Sequence, residues 1–516
     1  MSGSKILLIA PYNPSGLRIG QFLAPPLGIY RISSFIEKFT NTICRVYDPN
    51  LSGITKLKEI VKTNDFKFIG FSVLHTTLEN DIKLIFKLHE LSPCSILIAG
   101  GQGAVFNSKI LLLHTPIKII VRGFGELSLI RMLKQFNKEK PLKQFISIPG
   151  LTMKTAEKSI ISTPVKAPYT LKDFHNISLS LNFKKIPYEK YWDYMKRIYT
   201  TQDLVIMKNE NLLYTIRLFT TSHCPVGCIF CSSTNFLDGM GAKKHPVLLL
   251  SPKDVIILIK KAIRSHPNVT SFFFNDDNFL LNTNRVYQIC NRIKAEPSFD
   301  KLSFFCLGRV DNIDPIILNK MKKSNFKLII YGVESFSNSI LYHIQKKIKS
   351  KNPSEKTKRS IIQTLDAGIT PLINLILFYP TAGIKDIVYT IDNAVVLIGK
   401  GARATVYTYV EAYSGSEIIN QKFDIKYKLF KVPNLDFEFK IPDFVLPQNK
   451  GVRDLASAFV HQKPEALEKI KIRYNLPKRL PQPIDSLLIF YIIYNLLGLS
   501  VNKIENTIEA ILNTAK

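Results

Sequence analysis

Three cysteines stand closest to chemistry in this chain of 516 residues. Cys224, Cys228 and Cys231 lie in the run Thr220-Thr-Ser-His-Cys-Pro-Val-Gly-Cys-Ile-Phe-Cys-Ser-Ser, spaced Cys-x3-Cys-x2-Cys, with Phe230 just ahead of the last thiol. Three thiolates on one short loop can hold three irons of a 4Fe–4S cluster, and such clusters usually have a fourth cysteine. No neighbour supplies one here. An iron left open can take a substrate or cofactor, as catalytic metal sites keep a position that structural ones close. Zinc would need a fourth ligand at short spacing. His223 abuts Cys224 and is badly placed to share its metal, and His245 stands alone. The other alternative is a chance grouping of buried thiols.

The elements that must position this loop come in two alternating series. In the first 150 residues, strands are expected at Lys5 to Ala10, Phe68 to Leu74, Ser95 to Ala99 and Ile117 to Val121, with helices such as Pro26 to Phe39 between them. Such alternation implies a doubly wound, Rossmann-like parallel sheet. Its glycines, Gly100-Gly101-Gln102-Gly103 and Gly123, fall at the carboxyl ends of strands, where open sheets bind ligands. Residues 151–205 read as a linker rich in Lys, Pro and aromatics. Residues 206–420 hold a second series, with strands expected at Leu212 to Thr221, Ser271 to Asn275, Leu302 to Leu307, Leu328 to Gly332, Leu372 to Leu377 and Ala404 to Tyr409. Six strands suffice for a partial (β/α)6 barrel, whose functional residues collect at the carboxyl ends of strands. The cysteine loop follows the first of them. Residues 421–516 read as a helical, lysine-rich extension.

Composition narrows the class. The hydrophobic fraction is 46%, enough for large cores. Seven widely scattered cysteines argue against a disulfide framework and fit a reducing, cytoplasmic setting. The apolar stretch at the N-terminus is too short for a signal peptide and reads as a first strand. The run from Ser486 to Val501 is short for a bilayer span and reads as a buried helix. A membrane-surface contact is the alternative. The net charge of +30, from 70 Lys plus Arg against 40 Asp plus Glu, favours an anionic partner. No nucleic-acid recognition motif accompanies it. The densest basic run, Lys346 to Arg359, reads as a solvated helix face.

The cysteine spacing with Phe230 resembles the signature of the radical S-adenosylmethionine (SAM) superfamily. That resemblance implies a cluster whose open iron chelates SAM and cleaves it to a 5′-deoxyadenosyl radical. Later strand ends extend it. Asp276-Asp277 stands where cobalamin-fused members carry an Asp-Asp pair against the SAM ammonium. Arg309 suits the SAM carboxylate or a structural ion pair. Gly332-Val-Glu334-Ser335 is similar to the Gly-x-Glu-Ser whose polar pair reaches the ribose. At the fifth strand Phe378 and Thr381 occupy places where the family tends to have glycines, which implies a narrower adenine edge or substrate cavity.

Upstream, Ser72-Val-Leu74 followed by Gly100-Gly101 and Gly103 resembles the Ser-x-Leu…Gly-Gly pattern of cobalamin-binding domains. Arg122-Gly123-Phe-Gly-Glu126 matches their last-strand turn, and Pro25-Pro-Leu-Gly28 is typical of the radical SAM-fused form. The usual Asp-x-His-x-x-Gly is replaced by Pro11-Tyr-Asn-Pro-Ser-Gly16, so no lower histidine ligand is expected. The resemblance spans residues 1–420. It implies a cobalamin-dependent radical SAM enzyme that methylates an unactivated carbon or phosphorus of a small-molecule or carrier-bound intermediate. The electron would come from a flavodoxin or ferredoxin. Three alternatives stay open: cyclisation or rearrangement without methyl transfer; a tRNA methylthiotransferase, for which only Cys44 and Cys94 precede residue 224; and a non-catalytic cobalamin or SAM sensor.

Overall fold

The computed structural model describes residues 5–14, 24–155 except 138 and 141, 159–164, 169–199, 204, 207–233, 245–474 except 434, 476 and 483–514. The Ser15-Gly16 part of the altered first-loop motif lies outside them.

The apolar runs of the first series form a sheet of seven strands: β1 (Lys5–Ile9), β2 (Ile43–Tyr47), β3 (Phe68–Ser72), β4 (Ile96–Gly100), β5 (Ile119–Val121), β6 (Leu151–Lys154) and β7 (Ile160–Ser162). Their order is β2-β1-β3-β4-β5-β6-β7. The first five are parallel, and β6 and β7 add antiparallel. Strand β2 was not anticipated. It is an edge strand, Ile-Cys-Arg-Val-Tyr, with Ile43 and Arg45 exposed, so it lacks the continuous apolar run that marks its fully buried neighbours. The start of the expected linker, Leu151–Lys154 and Ile160–Ser162, pairs into this sheet, and further along come two helices, Leu171–Ser180 and Tyr188–Ile198.

The second series curls into a half-barrel: β8 (Thr215–Leu218), β9 (Ser271–Phe274), β10 (Ser303–Gly308), β11 (Phe326–Glu334), β12 (Thr370–Phe378) and β13 (Arg403–Glu411), all parallel and in chain order. Helices return between them with conventional ends. Ser251, Asn282, Asp314 and Asn352 each cap a helix by accepting a backbone N–H.

The C-terminal extension departs from a purely helical reading. It opens with a hairpin, β14 (Ile425–Lys431) and β15 (Glu438–Val445), and β15 pairs antiparallel with β13. The hairpin's backbone therefore continues the barrel sheet. Its side chains Phe430, Val432, Phe439 and Ile441 pack into the core of the N-terminal sheet, with Leu57, Ile82 and Leu111. Lys428 bridges to Glu79 at 2.6 Å, and Phe437 stacks on His114 at 3.5 Å. Helices follow at Lys450–Arg473, Ile484–Leu496 and Asn502–Thr514. The apolar helix Ile484–Leu496 is buried along nearly its whole length, with Ser486 bonded to the Ala404 carbonyl and Tyr494 to Asp392. Among the described residues no helix is long and apolar enough to cross a membrane.

Candidate functional site

The cysteine loop leaves β8 through a tightly held stem. Asp276, at the end of β9 and 1% exposed, accepts the Thr220 N–H at 2.5 Å, the Thr221 N–H at 2.8 Å and the Thr220 hydroxyl. Arg285 completes the knot, donating to Thr220 Oγ1 at 2.7 Å and to the Leu250 carbonyl at 2.7 Å. The stem's other edge pairs with 248–250, with Ser222 N to Leu248 O at 2.9 Å and Leu250 N to Thr220 O at 2.9 Å. Asp276 thus spends its acceptors on the loop's backbone. It braces the stem that carries the cysteines. Burial pushes its carboxyl up, while Thr220 and Arg285 oppose that.

Beyond the stem, Gly227 turns the chain at φ 77°, in the left-handed region that a side chain would strain. Cys231 N then donates to Cys228 O at 3.0 Å, closing a turn around half-buried Phe230. Cys228 is buried, Cys224 and Cys231 are partly exposed, and no cysteine forms a disulfide. Burial pushes the Cys224 thiol up to about 11, with Asp277 and Cys228 adding and Arg309 opposing. Such a thiol becomes a thiolate when a metal cation takes the proton's place. Among the described residues no three Cys, His, Asp or Glu side chains gather as a single-ion site. His223 is engaged with Ser222 at 2.9 Å. Three thiols on one loop are the donor set that the corners of a cubane take.

The other strand ends face the same mouth. Asp277 is exposed and accepts from the Ser233 hydroxyl. The crowding around it pushes its carboxyl up. Arg309 is engaged in a two-pronged pair with Asp311, both bonds 3.0 Å. Glu334 ends β11 at a bulge, with φ 65°, and accepts from buried Lys346 at 2.9 Å. Ser335 turns away from the mouth. It bonds Thr390 at 2.9 Å on the helix Ile384–Gly399 and accepts the Ser337 N–H. Phe378 is buried between Tyr409 and Phe459, which fills the space expected to be narrow.

Sequence reading missed three residues on or just beyond β13. Tyr407 and Glu411 share a face with Tyr409, which pairs with Phe378, and Tyr407 is 49% exposed to the hollow. Just beyond, burial raises the Tyr413 hydroxyl, and Glu411, Tyr407 and Cys231 reinforce this. The Tyr413 ring meets His75 of the N-terminal unit at 5.3 Å. The last strand thus runs from the barrel to the loop after β3. No motif marks these residues, because a strand's inward positions are visible only once its register is known.

The N-terminal unit carries a different hollow, of about 210 Å³, at the carboxyl ends of its strands. Ser72, Gly100, Gly101 and Gly123 line it, as expected, together with Gly28 and Arg31. Leu74 and Gly103 do not line it. A Cβ on Gly103 would lie 2.6 Å from the Leu74 carbonyl carbon, so these two build the turn after β3. Glu126 is fully buried and also does not line it. It accepts from Arg31 Nε at 2.6 Å and from the Tyr169 hydroxyl, holding Arg31 at the wall over the Phe124 ring. The first loop is pinned beside this edge. Tyr12 N donates to Asp81 at 2.8 Å, and Asn50 brackets Pro11 and Asn13.

A cysteine loop at the mouth of a six-stranded half-barrel is the arrangement of a radical SAM enzyme. Residues 218–394 match the model of the radical SAM superfamily, so the barrel is a radical SAM domain. Across 79% of the chain, and 81% of the relative, it is 23% identical to an uncharacterised methyltransferase of Pyrococcus horikoshii. The fold also matches the radical S-adenosylmethionine methyltransferase TsrM from Kitasatospora setae, solved with a tryptophan substrate and a SAM analogue. The TM-score is 0.63 at 14% identity, covering 84% of this chain and 80% of that one. It matches the cobalamin-dependent SAM radical enzyme OxsB, solved with aqua-cobalamin and SAM, with a TM-score of 0.64 at 15% identity, covering 95% and 70%. The two-unit fold of this chain is therefore similar to that of these two solved enzymes.

Proposed function

We propose that the protein is a cobalamin-dependent radical SAM methyltransferase acting on an unactivated carbon, or a phosphorus, of a small molecule. One observation supports this reading above the others. The half-barrel and the N-terminal sheet meet at the exit of β13, where the Tyr413 ring contacts His75, in the turn after β3, at 5.3 Å. Cys224, Cys228 and Cys231 would hold a 4Fe–4S cluster, and the SAM ammonium would meet the open carboxylate of Asp277 by a charge-assisted hydrogen bond. The glycine-lined hollow suits part of cobalamin, because at Gly28 a Cβ would meet nothing within 4 Å. Bound together, the cofactors supply a carbon-centred radical initiator and a methyl carrier. The chain supplies alignment. Asp276 and Arg285 fix the loop, Arg31 closes the upstream wall, and Tyr407 and Glu411 offer polar groups to a substrate in the hollow.

The test is anaerobic turnover of the reconstituted protein with SAM, reductant and cobalamin. Methyl transfer produces both 5′-deoxyadenosine and S-adenosylhomocysteine, and a product heavier by one methylene. Formation of 5′-deoxyadenosine alone would replace methylation by radical rearrangement. A small redox protein such as flavodoxin is the expected electron donor. Replacing dithionite with it should sustain turnover.

A further inference from the structure

Most of the basic run after β11 is exposed, as its composition suggested, with Lys347, Lys349, Lys351 and Arg359 at the surface, but Lys346 is buried. The run's helix begins only at Pro353, and the preceding turn folds back onto the cysteine loop. Ile344 O accepts from Ile229 N at 3.2 Å, and Lys347 Nζ donates to Val226 O at 2.9 Å. Cys228 lies between Val226 and Ile229 on one side of this contact. Lys346 lies between Ile344 and Lys347 on the other. Its backbone carbonyl accepts from Arg309 at 2.6 Å, and its ammonium, in a residue 6% exposed, donates to Glu334 at 2.9 Å. Gln345 and Lys347 flank it with φ of 57° and 53°, a left-handed conformation uncommon for side-chain-bearing residues. Backbone strain of that kind persists only where the surroundings enforce it.

We propose that Lys346 is a positioning residue that sets the reducibility of the cluster. Its buried ammonium lies in the turn that the backbone on both sides of Cys228 contacts, and the same group holds Glu334 at 2.9 Å. The inference rests on the cluster reading above and adds a role for a residue outside the cysteine motif. Reduction adds one electron to the cluster and its thiolates, making them more negative, and a fixed cation in a poorly solvated site stabilises that state. A cation that also anchors Glu334 couples the electron's arrival to the residue nearest the expected ribose position.

The experiment is an anaerobic redox titration followed by electron paramagnetic resonance on Lys346→Gln, Lys346→Arg and Glu334→Gln, with iron content measured on each. Lys346→Gln should keep about four irons per chain. At a fixed poise its reduced-to-oxidised ratio should fall roughly tenfold, or about 59 mV for a one-electron couple. Lys346→Arg should stay near the parent. Glu334→Gln, which leaves the ammonium uncompensated, should shift the ratio the other way. Opposite signs in the two charge-removing variants mark an electrostatic effect, since damage to packing would move both alike. Equal ratios in Lys346→Gln and the parent would overturn the inference, as would shifts of the same sign in Lys346→Gln and Glu334→Gln. If the parent protein itself assembles no cluster, the function reading fails.

Discussion

The two hollows are built on opposite principles. The upstream one is made by omission: Gly28, Gly100, Gly101 and Gly123 leave room beside backbone, and the charged pair near it, Arg31 with Glu126, is a wall brace. The barrel mouth is made by accumulation: three thiols, Asp277, the Arg309–Asp311 and Lys346–Glu334 pairs and the Tyr407–Glu411 face crowd one opening. A hollow of the first kind can seat a finished cofactor by shape. One of the second kind must hold charges apart and keep them desolvated, so its residues are mostly engaged with each other. The contrast teaches where each site is fragile: the first to added volume, the second to lost partners.

The largest expected effect tests the second principle. Cys228→Ala should abolish reductive SAM cleavage and lower iron content, read by 5′-deoxyadenosine formation and iron assay; undiminished cleavage would sink the cluster assignment. Next comes the first principle. Gly28→Leu adds volume where no atom lies within 4 Å of the new Cβ, and leucine is the better helix former by roughly 0.8 kcal/mol. Cobalamin retained after gel filtration should drop at least tenfold by expectation, with the iron–sulfur absorption unchanged and the unfolding midpoint not lowered. Full retention would mean that the hollow is not the seat.

A smaller effect separates positioning from binding in the mouth. Asp276→Ala strands two buried backbone donors, at Thr220 and Thr221, and should cost on the order of 3 kcal/mol. It should also loosen the cluster loop, seen as faster iron loss to a chelator. Unchanged stability with weakened SAM affinity would point to a direct ligand role instead.

A pH effect at the upstream edge concerns stability alone and no cofactor. Burial pushes the Asp81 carboxyl up to about 8, against its hydrogen bonds from Thr77 and Tyr12. Its folded form keeps a proton that the unfolded chain gives up near pH 4. The unfolded state thus binds fewer protons between those values, and stability falls as pH rises from about 4 to about 8. Asp81→Asn should flatten that decline in thermal melts at pH 5 and 8. A parallel decline in both proteins would show that Asp81 is charged in the fold.

Much of this was legible in the residues. The cysteine loop, both alternating series and the upstream glycines could be placed because each rests on local spacing or period. Legibility ended where a role depends on a distant partner. Asp276 and Asp277 are adjacent in sequence yet divide the work, one turned to Thr220 and the other exposed. Ser335 and Glu334 divide it likewise across a bulge. Lys346 looked like surface charge because its burial is created by a turn that packs on residues more than a hundred positions earlier. Tyr407 and Glu411 carry no motif at all.

The ribbon β14–β15 has a consequence for how such a chain could be divided or recombined. By hydrogen bonds it belongs to the barrel, and by Phe430, Phe439 and Ile441 it belongs to the first sheet. A chimera that exchanged upstream units at the apparent junction near residue 205 would inherit a ribbon whose side chains were shaped for another host. The heritable module is therefore discontinuous: the first sheet travels with residues 425–445, and a protease nick between them would leave two fragments still clasped.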